Sequence, residues 1–70
     1  MTKQKFDVVG MTCDHCVAHV GKAVRELAGV AEVEVSLDDA ALVVEYNAAQ
    51  VGEQAIIDAV VEAGYEAKAA

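Results

Sequence analysis

A chain of 70 residues with 56% hydrophobic but only 4% aromatic content must build its core largely from Ala and Val. An enzyme-sized pocket of roughly 300–1,000 Å³ would consume most of such a core, which disfavours catalysis. The formal net charge of −7 argues against nucleic acid and anionic membrane surfaces as partners, because both call for a basic patch.

The acidity serves either solubility or an acidic face for a basic patch on another protein. Met1-Thr2-Lys3 leads almost directly into the first predicted strand. The absence of a charged-then-apolar leader and of an apolar run of spanning length predicts a cytoplasmic chain that does not insert into a membrane. Its thiols are then expected to be reduced.

From Lys3 to Val9 the residues alternate, with Phe6 and Val8 on one face, which predicts a strand ended by Gly10. Val17, Val20, Val24 and Leu27 then recur at helical spacing, with Thr12 or Asp14 as the candidate N-cap. Gly21 in mid-helix suggests a close approach, and Ala28-Gly29 is the predicted helix end, with Gly29 left-handed. Val33, Val35 and Leu37 alternate with Glu32, Glu34 and Ser36, and Leu42, Val44 and Tyr46 resume the pattern. The two runs predict a hairpin across Asp38-Asp39-Ala40, with an Asp accommodating any left-handed position. A second helix is predicted from about Val51 to Ala63, with Ile56, Ala59, Val60 and Ala63 facing inward and Gly64 closing it. Ile57 and Val61 read as a widening of that inner stripe rather than a contact patch. A short strand from Tyr65 to Lys68 ends the chain. The order βαββαβ predicts an α+β, ferredoxin-like fold: a four-stranded antiparallel sheet with both helices on one face.

The chemistry concentrates in Gly10-Met11-Thr12-Cys13-Asp14-His15-Cys16, where alternation gives way to helical spacing. Two thiols at the mouth of a helix meet unsatisfied N–H groups and the positive end of the macrodipole, and both favour thiolate over thiol. Soft, anionic sulfur selects thiophilic metals such as Cu(I). Thr12, Asp14 and His15 mark an exposed turn and argue against two buried, inert cysteines. A structural zinc site needs four ligands, and only His15 and His19 accompany the cysteines. A c-type haem needs histidine directly after the second cysteine, where Val17 stands. A thioredoxin-like oxidoreductase shares the cysteine pair but not this order of strands. A two-thiolate site remains, able to hold Cu(I) while leaving room for a third, incoming thiolate. Cys13, on the loop side, is expected to be more accessible than Cys16 in the first helical turn, and so to meet a partner's sulfur first.

With the helix that follows and the late Ala63-Gly64-Tyr65, this motif resembles the heavy-metal-associated domain, and within it the bacterial copper chaperones of the CopZ type. The resemblance spans almost the whole chain and implies a single domain over residues 1–70. It implies Cu(I) binding by Cys13 and Cys16 and delivery to a copper-transporting P-type ATPase, with a copper-responsive repressor as a second acceptor. It implies a monomer without metal and offers a copper-bridged dimer with it. Met11 matches the family's motif methionine, a plug beneath the loop rather than a ligand. Tyr65 matches a tyrosine near the loop, which either shields the thiolates or simply packs. His15 reads as an auxiliary ligand in a shared copper site or as a solvated turn residue. His19 departs from the family pattern; one helical turn from Cys16, it reads as an exposed helix residue, with approach to the site as the alternative. Mercury- or zinc-binding relatives, an excised ATPase domain and a thiol oxidoreductase are the alternatives. Thr12 stands where related zinc and cadmium domains often carry Asp, which favours Cu(I), although Asp14 keeps a hard oxygen nearby.

Overall fold

The computed structural model describes residues 1–12 and 14–70. Its elements are β1 (Thr2–Val9), α1 (Asp14–Arg25), β2 (Val30–Ser36), β3 (Ala41–Tyr46), α2 (Glu53–Glu62) and β4 (Glu66–Ala69). The strands form one sheet in the order β2-β3-β1-β4, with every neighbouring pair antiparallel. Both helices lean on one side of the sheet, α1 against β2 and α2 against β4, and they touch each other. This is the predicted ferredoxin-like βαββαβ arrangement.

The period-two pattern explains which side is covered. Phe6 and Val8 of β1, Val33 of β2, and Leu42, Val44 and Tyr46 of β3 are buried in one cluster with Val20, Val24, Val51, Ile56 and Val60. Intervening positions carry charge, and Lys3 faces Glu45 and Asp7 faces Lys68 across neighbouring strands. The Tyr46 hydroxyl donates to Gln4 Oε1 at 2.8 Å, giving a buried phenol a partner at the sheet's rim. No described helix is long and apolar enough to cross a membrane.

Three local expectations give way to tertiary contacts. First, α1 ends at Arg25, well before Ala28-Gly29. Leu27 turns in to pack on the core, and Gly29, at φ +92°, closes a following turn rather than capping the helix. Second, the left-handed residue of the β2–β3 turn is Ala40 (φ 51°), not an Asp. Asp39 is held by Ser36, whose Oγ accepts its N–H at 3.3 Å, while the Ala40 carbonyl accepts the Val8 N–H at 2.8 Å. A bond to the neighbouring strand decides which residue takes the strained conformation. Third, Ile57 packs against the core as expected, but Val61 is 52% exposed. One residue beyond the buried Val60 is a rotation of about 100° around the helix, and this carries Val61 off the covered side.

Gly21 is buried against β2, yet a Cβ there would sit 3.6 Å from Val35 Cγ2, an ordinary van der Waals separation. The packing leaves room for a methyl group. Gly21→Ala should therefore stabilise the fold by about 1 kcal/mol, the helix-propensity difference between the two residues. The urea midpoint is expected to rise at unchanged denaturant slope. A lower midpoint would mean that the helix–sheet contact needs the bare backbone after all.

Candidate metal centre

The motif lies where β1 leaves the sheet. At Gly10, φ +103°, the chain turns away from β1 toward α1, which begins at Asp14. Antiparallel pairing of Val9 with Glu66 brings the start of β4 beside the end of β1. The end of α2 therefore delivers Tyr65 to the same place. Ala63 is the C-cap of α2, the Gly64 N–H donates to the Val61 carbonyl at 3.0 Å, and the Tyr65 N–H donates to the Val60 carbonyl at 3.2 Å. This 5→2 and 6→1 pair of bonds is a Schellman termination, which fixes the Tyr65 backbone relative to α2. A Cβ at Gly10 would stand 3.4 Å from Tyr65 Cδ1, so the phenol ring lies against the bare backbone of Gly10.

Cys16 stands in the first turn of α1, partly buried, with Sγ 3.9 Å from Thr12 Oγ1. Asp14 shares that turn, where its carboxylate meets the positive end of the helix dipole. Asp14 is thus inside α1 rather than its N-cap, because the backbone is already helical there. Cys13 lies outside the described residues, and with it its candidate role as a ligand and the expected order of the two thiols. Met11 is partly buried and packs against the core cluster. His15 is exposed, in the first turn of α1. Among the described residues, no three His, Cys, Asp or Glu side chains are grouped to hold a metal.

His19 is exposed, as expected, but not isolated. Its ring stands perpendicular to that of Tyr65, with centroids 6.0 Å apart. The end of the molecule around the motif thus gathers Gly10, Met11, Thr12, Cys16, His19 and Tyr65. Sequence reasoning missed the Thr12–Cys16 and His19–Tyr65 contacts. The first was open to detection, since residues four apart at a helix start lie on one side. The second was not, because it joins two elements far apart in the chain.

Residues 5–66 match the heavy-metal-associated domain. The chain is 42% identical over 66 residues to the copper chaperone CopZ of Enterococcus hirae, covering 94% of this chain and 96% of that one. It is 47% identical over 58 residues to a mercuric reductase of Acidithiobacillus ferrooxidans, covering 83% of this chain but only 10% of that larger protein. Its backbone superposes on a crystal structure of a copper binding domain from a P-type ATPase with a TM-score of 0.98 at 31% identity, over 100% of this chain and 95% of the other. The chain belongs to the heavy-metal-associated domain family.

Proposed function

We propose that this protein is a copper(I) metallochaperone, a carrier rather than an enzyme, which holds Cu(I) between Cys13 and Cys16 and hands it on by thiolate exchange. The observation that carries the reading is the near full-length similarity to a bacterial copper chaperone, with Cys16 at the N-terminal turn of a helix. Cu(I) is the cargo and suits two soft thiolates. In the transfer, an acceptor thiolate bonds to the ion as a third ligand. One of the two original sulfur–copper bonds then breaks, and repetition moves the ion across with no change of oxidation state. Because each step replaces one bond of the same kind, the ion is never released to water.

The acceptor in this reading is the metal-binding domain of a copper-transporting P-type ATPase, a class whose copper binding domain shares this backbone. A copper-responsive repressor is the second candidate. The net charge of −7 suits a basic acceptor surface, and the place of action is the cytoplasm. Competition titrations of the reduced protein with chelators for each ion test the metal. Cu(I) is expected to bind far more tightly than Zn(II), and a preference for Zn(II) would sink the copper assignment. The similarity to a mercuric reductase makes mercury the second reading. Cu(I) that stays on the protein when a copper ATPase domain is offered would favour it.

A further inference from the structure

We propose that Arg25 guards the free edge of the sheet: its guanidinium takes the Val33 carbonyl in the middle of β2 and so keeps a second copy of this chain from adding strand to strand there. The sheet ends in β2 on one side and β4 on the other. An edge strand presents N–H and C=O groups on which another chain can build, and folded proteins blunt such edges. β4 is blunted by its length of four residues. β2 has seven, in which Val33 and Val35 alternate with Glu32 and Glu34, and valine suits a paired strand. A bulge between Val30 and Glu32 disturbs the start of β2, which leaves residues 32–36 as its regular stretch.

The hydrogen bond identifies which groups of that stretch face outward. In an antiparallel pair, successive residues turn their N–H and C=O alternately toward the partner strand and away from it. Arg25 Nη2 donates to the Val33 carbonyl at 3.3 Å, so Val33 turns away from β3, and Val35 two residues on does the same. A second copy of β2 arriving antiparallel would have to bond to Val33 and Val35. The guanidinium already holds the first of these, and by symmetry both copies would have to give up that bond. Arg25 reaches the edge because it is the last residue of α1, which packs on β2. It also borders a depression with Lys3, Glu32, Glu34 and Glu45, whose carboxylates favour a guanidinium nearby. The same glutamates form a second barrier. In a symmetric pairing centred on Val33, Glu32 faces Glu34 of the other copy; centred on Glu34, that residue faces its own copy. Like charges directly opposite are destabilising. Salt screens this repulsion but leaves the Val33 carbonyl occupied. Cys16 lies in the first turn of α1 and Arg25 in the last, so the guard stands apart from the cysteine motif and its test needs no metal.

Sedimentation equilibrium of the reduced, metal-free chain in about 1 M NaCl, where the screening length is about 3 Å, reads self-association with the glutamate barrier weakened. Arg25→Ala should lower the dissociation constant of the dimer about five- to hundredfold, because two hydrogen bonds, one from each copy, no longer have to be given up. Arg25 is exposed and outside the core cluster, and alanine is a good helix former, so circular dichroism should show an unchanged fold. Lys22→Ala removes the same charge from the same helix and should associate no more than the parent. In the Arg25→Ala protein, amide exchange should slow at Val33 and Val35 as concentration rises, and not in β4. An Arg25→Ala protein as monomeric as the parent overturns the proposal. So does a Lys22→Ala protein that associates equally well, or slowed exchange in β4 in place of Val33 and Val35.

Discussion

Replacing either Cys13 or Cys16 by serine is expected to abolish tight Cu(I) binding and leave the fold in place. A serine hydroxyl is nearly isosteric with the thiol, but it is hard, and it stays protonated near neutral pH. It therefore cannot replace a thiolate on a soft ion. With only two sulfurs proposed, each loss removes half of the ligand set. The fall in affinity should exceed the roughly 10–100-fold that metal sites lose when only an outer hydrogen-bonding partner is removed. The fold should tolerate the change because Cys16 is partly exposed and lies outside the buried core cluster. Competition with a chromophoric Cu(I) chelator gives the affinity, and far-ultraviolet circular dichroism gives the fold. Parental affinity in either single variant would remove that cysteine from the ligand set.

Gly29→Ala is expected to cost about 2–5 kcal/mol of stability, from two sources that add. At φ +92° the position disfavours any residue with a Cβ, at about 1–2 kcal/mol. The added Cβ would also stand 2.8 Å from Gln50 Cβ and 3.1 Å from Val51 Cγ1, and overpacking of this kind costs about 1–3 kcal/mol. The neighbours cannot easily retreat. Val51 is buried in the core cluster, and the Gly29 carbonyl accepts the Asn47 N–H at 2.8 Å, tying the turn to the chain that leads into α2. A core of this size supplies roughly 3–5 kcal/mol, so the variant should be largely unfolded at 37 °C or close to it. Urea denaturation compared with Gly21→Ala makes the contrast direct: one glycine is required and the other is not. A Gly29→Ala midpoint equal to the parent's would show that the turn relaxes without loss.

Much of this molecule is written in short-range pattern. Alternation at Phe6 and Val8, at Val33 and at Leu42, Val44 and Tyr46 marks the covered side of the sheet, because a strand's side chains point alternately to its two faces. Val20 and Val24, and Ile56 and Val60, mark the helix faces by the same kind of local geometry at period 3.6. The cysteine motif was legible because its parts are neighbours in the chain, and the helix that follows it is announced by its own spacing. The six elements and their order followed from these rules, and so did the fold.

What remained was decided by groups that meet only after the chain has closed on itself. Gly29 is needed because of Gln50 and Val51, and its turn is not the helix end that an Ala-Gly pair suggests. Ala40 takes the left-handed conformation because its carbonyl meets the Val8 N–H, although two aspartates beside it tolerate that region better in isolation. Val61 lies exposed because the covered width of α2 is set by where it rests on the sheet, not by its run of apolar residues. The placing of Tyr65 between Gly10 and His19 belongs to the same class. Propensity and periodicity act over a few residues, whereas these contacts join positions far apart in the chain, as Gly29 and Gln50 or Gly10 and Tyr65 are. Their energies exist only once β4 has paired with β1 and the turn after α1 has closed on the entry to α2.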